Sequence, residues 1–459
     1  MQSIRRGLVL AGAVWIGAIG AVSGNPADLE RGRALSAKGD FAAAISAFSE
    51  AIQIAPSDPA AYNARGFAYL KIKDNAHAVE DFDNVIRLDP SDVSAYTNRS
   101  AIHLGEKRLD AAISDASAAI RLRPNEVAVA YGNRAAAYQM QGRDDVAAAD
   151  YDRALEINPR FADAHSGRGT LYMHAKDYGR ALAAYDAALF YGPGVARYLN
   201  GRGVVYRGLG NEEAARADFS AAIAAEPQNS MYYLNRSYTF ARNDPTKAIV
   251  DADTAIRLNS KYARALHYRG SLKLSLKQYN AAITDLDEAL RLDPSNARAR
   301  LERGEAHYRK GNCSLAAADF DAAIARDPNL DRAYLGRGAC LLGRGDLNAA
   351  LSAIDSAIKL KADDPGAYNL RSIVRERQSD LKGALLDLNE AVRLGPSFGT
   401  AYANRSRVHA LLGDKVKADA DRVNSDRLRT EVPIDASKIV PSANPLTFQG
   451  SRPVSEPTR

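Results

Sequence analysis

The sequence predicts an all-α protein, a solenoid of about twelve tandem helix-turn-helix repeats, and three observations in its 459 residues predict it. Arg31, Arg65, Arg99, Arg134, Arg168, Arg202, Arg236, Arg269, Arg303, Arg337, Arg371 and Arg405 recur every 33 to 35 residues, each followed by Gly, Ser or Ala. Ala44, Ala78, Ala112, Ala147, Ala181, Ala215, Ala248, Ala282, Ala316, Ala350, Ala384 and Ala418 keep the same frame, 12 or 13 residues behind. Between the two ladders, a turn interrupts a helical apolar spacing once per unit, in five units as Gly followed by Asp or Asn. A fixed period near 34 marks an array whose units cannot bury their apolar faces alone.

Numbering slot 1 six residues before each arginine, apolar or aromatic residues fall at slots 4, 8, 11, 20, 24 and 27. Gly39, Gly142, Gly210, Gly311, Gly345 and Gly413 hold slot 15, where a left-handed residue ends a first helix, A. Asp40, Asn211, Asn312, Asp346, Asp380 and Asp414 follow at slot 16, where an N-cap starts a second helix, B. Prolines such as Pro56, Pro90, Pro124 and Pro294 close the hairpin before the next A helix. Alanines at slots 20 and 27 face Gly or Ser at slot 8 and bring the helices close. Tyr69, Tyr138, Tyr172 and Tyr206 at slot 11, with Phe48, Phe82, Tyr151, Tyr185, Phe219 and Phe320 at slot 24, fill the gaps.

This set of slots, with Pro at slot 32, resembles the tetratricopeptide repeat over about residues 25–432. The resemblance implies a right-handed superhelix with a concave groove that takes peptides, helices or extended segments of other proteins. It implies a non-enzymatic interaction scaffold, with a structural or assembly factor of a membrane secretion or polysaccharide-export complex as the alternative.

The two ends read differently. Arg5 and Arg6 precede an uncharged apolar run from Leu8 to Val22, which resembles a bacterial secretory signal with Ala21-Val22-Ser23 as its cleavage site. Residues 1–24 are thus expected to be a signal peptide, and the chain periplasmic or secreted. The alternatives are an uncleaved inner-membrane anchor with the array facing the periplasm, or a cytosolic chain. Membrane contact is expected only through that segment. Residues 433–459 hold Pro433, Pro441, Pro445, Pro453 and Pro457 among Ser, Thr and Asn, and read as a disordered tail. The formal charge of +6 is small and interspersed, so no nucleic-acid partner is expected.

Slot 7 and slot 23 lie eight residues either side of the turn, so they meet at one level. Nine aspartates stand at slot 23, and pairs such as Arg65–Asp81, Arg99–Asp115 and Arg303–Asp319 are expected to be structural ion pairs. Arg31, Arg168 and Arg337 face alanine in their own hairpins. They either borrow a neighbour's aspartate or stand as donors near the groove. Arg264, Arg298 and Arg332 form a second ladder at slot 2 of consecutive hairpins. The resemblance implies that this slot faces the concave side, where some family members clamp a partner's C-terminal carboxylate. The clamp's companions are replaced here by His267 and Ser271, Leu301 and Glu305, and Leu335 and Ala339. A basic stretch for acidic segments, including His267 and Arg337, is one reading, and solvated surface arginines the other. Asn98 and Asn133, neighbours at slot 6, are candidates to grip one short peptide segment. That slot is broken elsewhere by Ala64, Gly167, Gly201, Tyr268, Glu302, Gly336 and Leu370.

Catalytic and metal-binding residues are not expected. His103, His307 and His409 occupy the tyrosine slot, and the remaining four histidines are scattered without metal spacing, a phosphate loop or a triad serine. No cofactor is expected. Cys313, near the start of a B helix, and Cys340, toward the end of the next A helix, come to one edge of the stack. Two readings fit them, a disulfide between hairpins and two buried thiols. A third functional reading, carbohydrate binding, rests on Tyr238 and Tyr308. The last hairpin, rich in Lys415, Lys417, Asp419, Arg422 and Asp426, reads as a polar cap and so as a monomer.

Overall fold

The structure is a computed structural model that describes residues 26–431. The expected signal or anchor over 1–24 and the tail over 433–459 lie outside those residues. Among the described residues there are 24 α-helices and no strand, in two compact units meeting in the chain at Thr239 and Phe240. No described helix is long and apolar enough to cross a membrane.

The first unit runs through α1 (Pro26–Ala37), α2 (Phe41–Ile54), α3 (Pro59–Lys71), α4 (Asn75–Leu88), α5 (Val93–Gly105) and α6 (Leu109–Leu122). It continues through α7 (Ala128–Met140), α8 (Asp144–Ile157), α9 (Ala162–His174), α10 (Tyr178–Tyr191), α11 (Ala196–Gly208), α12 (Glu212–Ala225) and α13 (Ser230–Phe240). The second holds α14 (Pro245–Leu258), α15 (Ala263–Ser275), α16 (Tyr279–Leu292), α17 (Ala297–Arg309), α18 (Cys313–Arg326) and α19 (Asp331–Arg344). It ends with α20 (Leu347–Leu360), α21 (Pro365–Arg377), α22 (Leu381–Leu394), α23 (Gly399–Leu411) and α24 (Lys415–Glu431). Odd-numbered helices are A helices and even-numbered ones B helices.

In eleven of the twelve described hairpins the A-to-B turn obeys one backbone rule, and the seventh, between α13 and α14, has no left-handed residue. Gly39, Gly142, Gly210, Gly311, Gly345 and Gly413 all have φ between 77° and 85°. Where the sequence offers no glycine, Lys73, Lys107, Lys176, Lys277 and Ser379 are still left-handed, with φ of 60° to 64°. The hairpin geometry therefore imposes the conformation, and these five positions carry its steric cost of about 1 kcal/mol each. Asp40, Asn211, Asp346, Asp380 and Asp414 cap the next helix by accepting its third backbone N–H. Asn312 does not, because its side chain makes no cap bond.

Slot-20 alanines from Ala44 to Ala384 are fully buried, and the slot-24 rings of Phe48, Phe82, Tyr185, Phe219 and Phe320 lie on slot-8 glycine. A Cβ at Gly203 would stand 2.7 Å from the Phe219 ring, and one at Gly304 2.8 Å from that of Phe320. At three places the ring also fills a notch in the following A helix. Tyr151 lies on Gly167, Tyr185 on Gly201 and Phe320 on Gly336. The glycines that break the slot-6 asparagines thus have a packing reason.

Candidate functional site

Within each unit the A helices crowd one another. In the first unit α1 touches α3, α5 touches α7, α7 touches α9 and α9 touches α11. In the second α15, α17, α19, α21 and α23 touch in sequence. Among the described residues, successive B helices make no comparable contact. Each stack therefore curves with its A helices on the inner side, which is the candidate binding face.

The arginine ladder stands between hairpins. Arg65, Arg99, Arg134 and Arg202 in the first unit, and Arg269, Arg303, Arg371 and Arg405 in the second, each grip the slot-23 aspartate of their own hairpin through two nitrogens. For Arg65 and Asp81 the distances are 2.9 and 2.8 Å, and for Arg303 and Asp319 2.9 and 2.5 Å. The third nitrogen reaches back to the preceding B helix. Arg99 bonds Asp83, Arg202 bonds Asp186 at 2.8 Å, Arg269 bonds Asp253 at 2.7 Å and Arg303 bonds Asp287 at 2.6 Å. Each such arginine is thus a staple across three helices, and the carboxylates hold its guanidinium above its usual range. Arg168 and Arg337, which face no slot-23 carboxylate in their own hairpins, use Asp152 and Asp321 of the preceding one. Arg31 bonds Glu50 at 2.5 Å.

Several expected peptide contacts are occupied from within. Asn98 is buried, and Asn133 donates to the Thr97 carbonyl at 3.2 Å and the Ser100 hydroxyl at 2.8 Å, tying α7 to α5. Asn235 to Asn200, at 2.7 Å, and Asn404 to Asn369, at 2.8 Å, repeat the tie between other A helices. Tyr238 is buried beneath the Arg207 guanidinium, 4.7 Å away, and so presents no open ring.

The basic ladder is divided. Arg264 and Arg298 are exposed on α15 and α17. Arg332 on α19 turns inward to Glu305 on α17, with Nη2 to Oε1 at 2.5 Å. His267 is buried, its Nε2 3.1 Å from Glu302, which also accepts from the Ser271 hydroxyl. Three consecutive A helices therefore build one polar cluster, centred on two glutamates that single-hairpin patterns did not single out. Burial acts to raise Glu302, but His267 and Ser271 outweigh it and hold its carboxyl below the ordinary range. Burial pushes Glu305 up to about 7; Arg332 opposes the rise and the Glu302 charge adds to it.

The folded chain thus keeps a proton on Glu305 that the unfolded chain loses above the ordinary value of 4.5. Protons are bound more tightly in the folded state, so stability falls as pH rises from about 4.5 to about 7. Glu305→Gln is expected to flatten that segment of a plot of urea midpoint against pH. An unchanged slope would contradict the assignment.

No cluster of three or more His, Cys, Asp and Glu that could hold a metal occurs among the described residues. His103 Nε2 lies 3.5 Å from Asp115 and His409 Nε2 4.0 Å from Asp421, so both rings pack beside aspartates of the arginine ladder.

The profile described as TPR repeat matches residues 32–73 and 270–311, and the profile described as tetratricopeptide repeat matches 63–127, 133–194, 175–230 and 301–367. A search of the curated proteins found no match. Among solved structures, the APC/C hetero-tetramer Cut9–Hcn1 is 14% identical, covers 84% of this chain and 90% of its own, and has a TM-score of 0.52. A tetratricopeptide repeat protein from Parabacteroides merdae is 22% identical, with coverage of 54% and 98% and a TM-score of 0.42. Yeast Tom70 is 19% identical, with coverage of 88% and 91% and a TM-score of 0.36. With more than half of its length matched by the repeat profiles, this chain belongs to the tetratricopeptide repeat family.

Proposed function

We propose that the chain is a non-enzymatic protein-protein interaction scaffold of the cell envelope, whose A-helix face in the second unit takes acidic peptide or helical segments of partner proteins. The repeat family and the curvature of each unit support a binding face, and the N-terminal Arg5-Arg6 and apolar run support export. The observation that carries the site is the pair Arg264 and Arg298, exposed at the same slot of touching A helices α15 and α17. Packed helices lie about 10 Å apart. Carboxylates three residues apart on a polyproline II segment share one face and are separated by about 9 Å. Arg332, at the same slot of α19, is drawn to Glu305 of α17 instead.

The test is binding of a fluorescent peptide with Glu at every third position to the full chain, followed by anisotropy. Arg264→Ala/Arg298→Ala is expected to weaken it by about tenfold or more. Equal affinity of parent and variant would move the site elsewhere. Capture from envelope extracts on the same two baits then identifies the partner.

One observation favours the alternative assembly role. The last hairpin exposes Leu411, Leu412, Val416 and Val423, which a purely polar cap would not. Self-association measured by sedimentation, and abolished by Val416→Ser/Val423→Ser, would favour that reading over the scaffold.

A further inference from the structure

The chain's two cysteines lie at one contact between hairpins. Cys313 is the first residue of α18, the B helix of the ninth hairpin, and Cys340 lies in α19, the A helix of the tenth. Both belong to one apolar cluster with Leu301, Tyr308, Phe320 and Ala333. An independent contact fixes their approach. Arg344, one turn beyond Cys340 on the same face of α19, donates from Nη2 to the Cys313 carbonyl at 3.4 Å and to Ser314 Oγ at 3.2 Å. The side of α19 that carries Cys340 is therefore turned to the start of α18, and the Cys313 side chain packs against the apolar cluster that holds Cys340. The two differ in access, since Cys340 is wholly buried and Cys313 partly open.

We propose that Cys313 and Cys340 form a reversible disulfide site that locks the ninth hairpin to the tenth, closed by a small disulfide oxidant such as oxidised glutathione and opened by a dithiol. The order of steps follows from access. Cys313, as thiolate, attacks one sulfur of the oxidant, forming a mixed disulfide and expelling one glutathione thiolate, which takes up a proton. Cys340, whose thiol burial pushes up to about 12, cannot start the reaction but lies beside the new bond. It gives its proton to solvent, attacks Cys313 Sγ and expels the second glutathione. Two protein thiols and one disulfide become one protein disulfide and two glutathione thiols, with two electrons passed to the oxidant. The closed loop ties α18 to α19, the helix that also supplies Arg332 to the polar cluster.

The full chain, reduced and then held folded in oxidised glutathione, is the sample. Expected are loss of both titratable thiols, a mass lower by two hydrogens, a peptide joining residues 313 and 340, no dimer on a non-reducing gel, and a rise in Tm of a few degrees that dithiothreitol reverses. Cys340→Ser should stop at one glutathione on Cys313, and Cys313→Ser should keep its buried thiol unreacted. A wild-type chain that keeps a stable glutathione adduct, links to a second chain, retains both thiols, or closes without gaining Tm overturns the proposal.

Discussion

Asp387→Ala is expected to destabilise the second unit by about 3 to 5 kcal/mol, through the charges it strands rather than the bonds it removes. Asp387 is 2% exposed and accepts from Arg371 Nε and Nη2, at 3.0 and 2.6 Å, and from Arg375 Nη1 at 3.0 Å. Without the carboxylate, Arg371 keeps Asp355 at 2.7 Å, while Arg375 is left a backbone carbonyl, that of Gly383 at 3.2 Å. Both cations stay packed between helices that cannot separate to hydrate them without losing the alanine contacts at Ala384 and Ala391. Asp387→Asn, which keeps an acceptor of the same shape but no charge, should lose less. Glu390→Ala, which removes an exposed partner of Arg393 three residues along the same helix, should leave the urea midpoint where it was. If Asp387→Ala shifted the midpoint no more than Glu390→Ala, the staples would contribute nothing to holding hairpins in register.

The legibility of these staples in the sequence was uneven, for a physical reason. Arg371 and Asp387 sit at equal distances from one turn, so a single hairpin shows that they meet. Asp355 belongs to the preceding hairpin, and its contact depends on how one hairpin stacks on another. A signal was present nonetheless, since Asp83, Asp186, Asp253, Asp287, Asp321 and Asp355 each stand 16 residues before an arginine of the ladder. The same limit explains the binding face. Asn133 and Arg332 read as groove donors while their partners, Ser100 and Glu305, lay one repeat away on another A helix. Asn312 shows the complementary case, a residue of the right type at the right slot that does not cap its helix. The left-handed lysines show that turn geometry outranks the residue that occupies it. Repeat period, helix pairing and buried alanines were legible because each is fixed within about 34 residues.

Phe320 tests the stacking itself. It is 1% exposed, and its ring lies on Gly304 of α17 and Gly336 of α19, so it joins an A helix of its own hairpin to one of the next. Phe320→Ala is expected to cost about 3 to 5 kcal/mol, because neighbours such as Ala316, Ala323 and Ala333 are too small to collapse into the space. Gly336→Ala alone should also destabilise, by about 1 to 3 kcal/mol, since its Cβ would overlap the ring. In the Phe320→Ala background the sign should change. With the ring gone, the added methyl meets space, and replacing a mid-helix glycine by alanine gains about 1 kcal/mol of helix propensity. The four urea midpoints then yield a coupling of about 2 kcal/mol or more between residues 320 and 336. Additive losses would mean that ring and notch do not meet, and that another contact sets the spacing of the ninth and tenth hairpins.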